Sequence, residues 1–176
     1  MPSPQKIQET LALIDDWTGR LDHFSFEQLI QKPSPDEWSI AQVYIHLWMS
    51  SKGFFFKNVE RCTSKDEKSA TGGSKTWTGR FVFWLRVFPP VKVKMPGEVA
   101  VQPHPPEDLA QLKRRMEEVK NLALSAAAGA ASADPRIKVR HPFLGWLNAE
   151  EWFSLCGFHF KHHEAQIGRI RKSQGF

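Results

Sequence analysis

Apolar residues recur at three- and four-residue steps in four long stretches of the chain, and this spacing predicts four long α-helices. Such steps return to the same side of a helix, so each stretch carries an apolar stripe that packs against a core. The predicted helices cover approximately residues 4–22, 39–61, 107–128 and 148–171. In the first of them the stripe consists of Ile7, Leu11, Ile14, Trp17 and Leu21.

Polar residues and glycine mark several of the predicted helix ends. Ser25 is a candidate N-cap for a short helical turn over residues 25–31, which Pro33 ends. Asn148 occupies the N-cap position of the fourth long helix, and two glutamates follow it in the first turn, where acidic groups favour the helix dipole. Gly129 is placed to end the third long helix.

Two connections separate these helices. The longer one covers residues 62–106 and contains a short apolar helix or turn at 77–87 and an extended or irregular stretch at 91–94. A connection of this length is usually functional. Strands have little support in the pattern, also in the shorter link over 129–147. The predicted fold class is therefore all-α: a four-helix bundle with one long crossover, in a single domain over residues 1–176.

Composition and charge narrow the class of protein. Hydrophobic residues make up 41% and charged residues 24%, as in ordinary globular domains. No apolar run approaches the roughly 20 residues that span a bilayer, and the amino terminus lacks the apolar core of a signal peptide. Two cysteines, Cys62 and Cys156, are too few for a disulfide framework. We therefore expect a cytoplasmic protein without a membrane partner.

Part of the excess positive charge of the chain lies in one stretch, and the carboxyl end adds Arg169, Arg171 and Lys172. The formal net charge is +5, and no acidic residue occurs between Glu67 and Glu98, where six basic residues lie. This excess would suit nucleic acid or an anionic surface, but the interpretation we favour is a solvated basic loop, because unbroken blocks of like charge are absent. The stretch combines basic residues with Trp and Phe over 75–94, yet it lacks a recognised nucleic-acid-binding motif, so nucleic acid is not an expected partner.

Two of the seven histidines share the apolar face of the fourth long helix. His159 and His163 are spaced i,i+4, so their β carbons lie about 6 Å apart, and two imidazoles at this spacing can bind one metal ion. His162 lies at the edge of the same face. The simpler alternative is a pair of packed core histidines.

The second long helix is apolar nearly all round except for one polar seam, which we define as Ser39, Gln42, His46, Ser50 and Gly53. Because a helix that is apolar elsewhere should be buried, a polar seam implies a cavity or another polar wall beside it. His46, in the middle of the seam, would then supply a third ligand. Three neutral imidazoles leave an open position on Zn²⁺ or a similar ion for water or a substrate atom.

Several further residues are candidates around this site. Gln166 and Gln42 lie one turn from His163 and His46, where they could accept hydrogen bonds from the imidazole rings, and Ser50 would line the pocket. His141 either lines the mouth of the site or hydrogen-bonds its own loop. Cys156, one turn before His159, either approaches the metal or is a small buried apolar residue.

Three blocks of this sequence resemble the DinB-like family, which includes YfiT-type metal-dependent hydrolases. Residues 32–47 contain Pro35-x-x-Trp38-Ser39 followed, after six residues, by His46-Leu47. Residues 141–152 are similar to the family's approach to its last helix. The third block, His159-x-x-x-His163-x-x-Gln166-Ile167, resembles the family's final signature. In this order the blocks span residues 5–172.

The resemblance implies a four-helix bundle of up-down-down-up type and a metal triad of His46, His159 and His163. Family members bind nickel, zinc or similar divalent ions, and some are transferases that use low-molecular-weight thiols to open electrophiles. A homodimer is a further implication of the resemblance. The long insertion at 63–105 departs from the family members with short loops, so no particular substrate is carried over.

Three functions remain open on the sequence alone. The first is a metal-dependent transferase or hydrolase, in which a three-histidine site activates a bound water or thiol against a small electrophile. The second is a non-catalytic metal-binding or stress-response module that acts through dimerisation. The third, for which the sequence offers least, is nucleic-acid binding. No catalytic residue beyond the metal ligands is assigned.

Overall fold

The computed structural model describes residues 4–88 and 102–175 of the chain. A 3-10 turn, Leu21–His23, follows the first helix, and a π-helical segment, Ser51–Phe55, joins α3 to α4 without a break. The other elements, in chain order, are α1 (Pro4–Arg20), α2 (Phe26–Ile30), α3 (Ile40–Ser50), α4 (Phe56–Ser64), β1 (Ser69–Thr71), α5 (Trp77–Leu85), α6 (Leu109–Ser132), β2 (Ile137–His141), β3 (Gly145–Asn148) and α7 (Ala149–Gln174).

Capping boxes begin three of these helices. The side chains of Ser25, Ser39 and Asn148 each accept a hydrogen bond from the backbone N–H three residues later, and the side chain at that position accepts one from the N–H of the cap. The N-caps predicted at Ser25 and Asn148 are confirmed. In α3 the partner of the Ser39 cap is Gln42, which matters for the site described below.

The long helices pack around a common core. Helix α1 contacts α6 and α7, and both α3 and α4 also contact α6 and α7. The largest fully buried side chains include Trp17, Trp152, Tyr44, Phe153 and Phe160. Across this core the Tyr44 hydroxyl donates to the backbone oxygen of Trp17 at 3.1 Å. The mainly helical class is therefore confirmed.

Among the described residues, no helix combines the length and apolar character needed to cross a membrane.

The expectation that the chain has no strands is wrong. Strands β1, β2 and β3 form an antiparallel sheet in that order, with Ser69 opposite Val139 and Lys138 opposite Asn148. The indole N–H of Trp152 donates to the backbone oxygen of Val139, which ties the sheet to α7. Because Asn148 is both the last residue of β3 and the N-cap of α7, the sheet sets the position at which the histidine-bearing helix begins.

Gly129 does not end α6 as predicted. The helix continues to Ser132, and the N–H of Ala133 donates to the Gly129 oxygen as in an uninterrupted helix. A β carbon at position 129 would lie 3.0 Å from Cγ2 of Thr63 in α4. The glycine therefore permits the close approach of α4 and α6, and its role is packing.

The π-helical segment alters the polar seam predicted for the second long helix. The N–H of Phe56 donates to the oxygen of Ser51, an i→i+5 bond that accommodates one extra residue and rotates everything after it. Gly53, predicted on the same face as His46, is consequently exposed. Ser51 is buried instead, with its hydroxyl 3.4 Å from the Cys156 sulfur.

Helix α5 lies within the long connection, and it agrees with the short helix predicted at 77–87; the stretch at 91–94 lies outside the described residues. The Thr76 hydroxyl caps α5 by accepting from the N–H of Gly79. A β carbon at Gly79 would lie 2.2 Å from the backbone oxygen of Leu144, so the helix is seated directly on the loop between β2 and β3.

We expect Gly79→Ala to lower the free energy of unfolding by about 1–3 kcal/mol, because the new methyl group collides with a backbone oxygen that cannot rotate away. Urea unfolding followed by circular dichroism measures the change. Gly168→Ala in α7 is the matched control, since nothing lies within 4 Å of its β-carbon position. The control should be neutral or stabilising by up to about 1 kcal/mol, and equal destabilisation by both substitutions would contradict the close contact.

Candidate metal centre

His46 of α3 meets His159 and His163 of α7 at one point of the structure. The Nε2 atom of His159 lies 3.1 Å from Nε2 of His46 and 3.1 Å from Nε2 of His163. One ring nitrogen from each residue lies within 4.8 Å of the other two. Two nitrogen ligands that share one ion at about 2.0–2.1 Å are themselves about 3 Å apart. The three histidines could therefore hold one divalent metal ion.

Ser50 defines which nitrogen of His159 carries the proton. The Ser50 hydroxyl has one hydrogen, and it donates to the backbone oxygen of His46 at 2.8 Å, as serine commonly does within a helix. Its oxygen also lies 3.2 Å from Nδ1 of His159. Because the hydroxyl hydrogen is already used, we assign the proton to Nδ1 of His159, which donates to Ser50. The Nε2 atom of His159 is then a free lone pair.

Gln166 has the same effect on His163. Its amide oxygen lies 2.7 Å from Nδ1 of His163, and an amide oxygen only accepts, so Nδ1 of His163 carries the proton. The Nε2 lone pairs of His159 and His163 consequently face each other at 3.1 Å with no hydrogen between them. Two facing lone pairs repel unless a cation lies between them, and this arrangement fits a shared metal ion.

Burial keeps the three imidazoles in the form that binds metals. Burial, with a smaller effect of His162, lowers the pKa of His46 to about 4. Burial and then the neighbouring His46 lower the pKa of His163 to about 3, and the pKa of His159 lies well below its usual range for similar reasons. All three rings are therefore neutral near pH 7, and only the neutral imidazole can donate a lone pair to a metal.

Aromatic side chains form the walls around the triad. The ring centroid of Trp38 lies 5.1 Å from His46, and that of Phe55 lies 5.2 Å from His159. Phe88 approaches His159 at 6.0 Å and His162 at 6.2 Å. In residues 4–88 and 102–175, no carboxylate is hydrogen-bonded to the three ligand rings. The walls around the triad are thus largely aromatic, while His46 and His159 are only partly buried and keep some access to solvent.

These wall residues were not identified from the sequence. The sequence favours packing of the helices as the role of Trp38, which is indeed packed against the core, and it gives no reason to single out Phe55 or Phe88. Trp38 directly precedes the Ser39 cap, so its place at the start of the His46 helix was a usable signal. The position of Phe55 depends on the π-helical segment, and Phe88 follows α5 in the long connection, so neither had a local signal.

Gln42 does not contact His46 as expected. Its amide oxygen accepts from the N–H of Ser39 at 3.0 Å, and its amide nitrogen donates to the backbone oxygen of Pro103 at 2.9 Å. Both ends of the side chain are therefore occupied, by the helix cap and by the segment that returns after the long connection. Gln42 fixes the chain beside α3, one turn away from the triad.

The structure places His141 and Cys156 away from the ligand set. Nδ1 of His141 accepts from the N–H groups of Phe143 and Leu144, which is the loop contact that the sequence left open as one alternative. Burial lowers the pKa of His141 to about 4. The Cys156 thiol contacts Ser51, and burial raises its pKa to about 12, so it stays protonated.

The comparisons with known proteins identify the family of the chain. The family model of the DinB superfamily matches residues 9–167, a range that contains all three histidines. The chain is also similar to the uncharacterized protein YuaE of Bacillus subtilis (strain 168), with 26% identity over 165 residues, which cover 92% of this chain and 93% of the relative. The chain belongs to the DinB superfamily.

Proposed function

We propose that His46, His159 and His163 bind one divalent ion, nickel or zinc, and that the protein is a metal-dependent enzyme of the thiol transferase or hydrolase type. The observation that carries the proposal is the distance of 3.1 Å between the Nε2 atoms of His159 and His163, to both of which we assign no proton. Held by these three neutral imidazoles, such an ion would lower the pKa of a water or thiol at its open position and would make that group a nucleophile near pH 7.

The proposal extends to the arrangement of the long helices. α1, the continuous α3–α4 segment, α6 and α7 would form the four-helix bundle in up-down-down-up order, as the family resemblance implies. In that order the ligands come from the second and fourth long helices, and this agrees with the positions of His46 on α3 and of His159 and His163 on α7.

The chain's own residues position the ligands and select the substrate. Ser50 and Gln166 accept from the Nδ1–H groups, which aims both lone pairs at one point and makes the imidazoles more basic ligands. Trp38, Phe55 and Phe88 surround the rings, so the part of the substrate that does not react meets apolar surface. We therefore expect a small, largely apolar electrophile as substrate, attacked by water or by a low-molecular-weight thiol.

Metal analysis and a turnover assay test this function together. Metal is removed from the purified protein with a chelator, and Zn²⁺ or Ni²⁺ is then added back. The amount of bound metal is measured, and the consumption of small epoxides and aryl halides is followed with and without added thiol. We expect one ion per chain, an unchanged circular dichroism spectrum after stripping, and activity only with metal. Absence of bound metal would refute the proposal. Metal binding without turnover, or unfolding on metal removal, would favour a structural, non-catalytic site.

We expect Gln166→Leu to weaken metal affinity by about 10–100-fold, because Nδ1–H of His163 loses its acceptor and the ring loses its orientation. Competition with a chromophoric chelator measures the change. Gln8→Leu, at an exposed position of α1, is the matched control and should leave affinity unchanged. Wild-type affinity in the Gln166 variant would show that the contact does not position the ligand.

A further inference from the structure

Helix α5 presents an aromatic face to solvent. Trp77 is 79% exposed, Trp84 75%, Phe81 45% and Leu85 40%. Counted from Trp77, Phe81, Trp84 and Leu85 follow after four, seven and eight residues, so all four lie on one side of the helix. The ring centroids of Phe81 and Trp84 lie 6.0 Å apart. Together they expose on the order of 500 Å² of largely apolar surface, which is as large as the largest patch on many monomeric proteins and usually marks an interaction site.

The opposite face of α5 is already packed, so the helix cannot turn its aromatic side inward. Val82 is buried, and Phe83 meets the ring of Phe158 edge-on at 5.5 Å. Gly79 has no room for even one more carbon against Leu144. The hydroxyl of Thr76 also donates to the backbone oxygen of Phe143 at 2.8 Å. The exposed aromatic face is therefore a fixed feature of the fold.

The charges around this face are positive or neutralised. Lys75 is paired with Glu151, and Arg86 with Glu9. Arg80, at the edge of the aromatic face, is exposed, and no ion pair of its side chain occurs within the described ranges. Since no acidic residue lies between Glu67 and Glu98, the stretch that contains α5 supplies nothing that would repel an anionic surface.

We propose that the outer face of α5 docks on the surface of a bilayer that contains anionic phospholipid. Trp and Phe prefer the boundary between headgroups and acyl chains, and a helix with a fixed aromatic face can lie in this plane. Arg80 then reaches the phosphate groups beside the helix. This partner differs from the sequence-based expectation of no membrane partner, and the proposal is independent of the metal centre.

Two other occupants fit the surface less well. A second copy of the chain would bury on the order of 500 Å² per partner through this face, whereas a stable specific interface buries about 800 Å² per partner. A nucleic-acid strand needs a row of free cations along its phosphates. In the described part of the chain Lys75 and Arg86 are already paired, and Arg80 alone remains available at the border of the face.

Vesicle flotation of the whole protein tests the proposal, with vesicles of phosphatidylglycerol and phosphatidylcholine in equal parts and with vesicles of phosphatidylcholine alone. The wild type should float with the anionic vesicles, and its tryptophan fluorescence should shift to shorter wavelength. A double substitution, Trp77→Ser with Trp84→Ser, should weaken partition at least about tenfold, because most of the inserting surface is lost. Arg80→Glu should weaken binding about tenfold to anionic vesicles only.

The matched control removes two exposed apolar side chains elsewhere, Ile30→Ser with Leu124→Ser, and should float like the wild type. Circular dichroism and thermal unfolding check that each variant is folded. If the double tryptophan variant is unfolded, Arg80→Glu still tests the proposal. Failure of the wild type to bind anionic vesicles overturns the proposal, as does equal loss in the control. A dimer, or an oligonucleotide complex, that the tryptophan substitutions abolish while no vesicle binding occurs would also overturn it in favour of those partners.

Discussion

Replacing His159 by alanine should abolish binding of a divalent ion while the protein remains folded. The Nε2 atom of His159 is the central one of the three, 3.1 Å from Nε2 of both His46 and His163. Its loss leaves one nitrogen on each helix, and we expect affinity to fall by at least about a hundredfold, because loss of a ligand costs more than the 10–100-fold typical of a residue behind it. Isothermal titration with Zn²⁺ measures the effect.

The fold should survive this substitution because the core does not depend on the triad. Trp17, Trp152, Phe153 and Phe160 are fully buried, and the ring contacts of Trp17 are with Tyr44 and Phe160 rather than with the triad. The far-ultraviolet circular dichroism spectrum of His159→Ala should therefore match that of the wild type.

His162→Ala is the matched control for the triad. His162 precedes His163 in α7, and its ring lies 5.1 Å from that of His163, yet it is absent from the ligand set. The control should bind Zn²⁺ within severalfold of the wild type. If His162→Ala lost as much affinity for Zn²⁺ as His159→Ala, the proposed set of three ligands would be incorrect. If His159→Ala bound Zn²⁺ as tightly as the wild type, the triad would not be the metal site.

The grouping of the three histidines could be predicted because it depends on regular helices. The i,i+4 spacing of His159 and His163 fixes their side of α7, and His46 and Ser50 share one side of α3 before the π-helical segment begins. Both helices start at capping boxes that the sequence already displays, so their phases are determined by residues nearby in the chain. Helical periodicity was therefore sufficient to predict this part of the site.

The parts that were missed depend on contacts distant in sequence. β1 has three residues and pairs with β2 about 70 positions later, so neither strand has enough local pattern to be recognised. The extra residue of the π-helical segment exposes Gly53 and buries Ser51, and no residue type in the sequence indicates that such a segment occurs there. Gln42 is different: the spacing Ser39-x-x-Gln42 is itself a capping-box motif, and the cap engages the amide that was expected at His46.

Acid should destabilise the metal-free protein strongly between about pH 6.5 and pH 4. Burial lowers the pKa of His46 and of His141 to about 4, and that of His163 to about 3, whereas each is about 6.5 in the unfolded chain. Below pH 6.5 the unfolded state therefore binds more protons than the folded state, and stability falls as pH falls. The stability that these groups permit is fully present above about pH 6.5.

The expected loss is large compared with the stability of a domain. A pKa lowered from 6.5 to about 4 corresponds to about 3 kcal/mol per histidine once the pH is below both values, and the partly exposed His46 contributes less because water reaches its ring. Together the histidines should cost on the order of 5 kcal/mol, against a total of about 5–15 kcal/mol. Urea midpoints measured in chelator at a series of pH values from about 7 to about 4.5 reveal the slope.

His141→Asn identifies one of the responsible groups without touching the metal ligands. Asparagine keeps an acceptor for the backbone N–H groups of Phe143 and Leu144 but cannot take up a proton. The free energy of unfolding of this variant should depend less on pH than that of the wild type, by up to about 1.4 kcal/mol per pH unit. The His23→Asn variant, changed at an exposed position, should keep the full slope. Zn²⁺ should shift the loss to lower pH in both variants, because protons must then displace the ion from His46, His159 and His163. Urea midpoints that stay constant down to about pH 4.5 would show that these histidines do not remain neutral inside the fold.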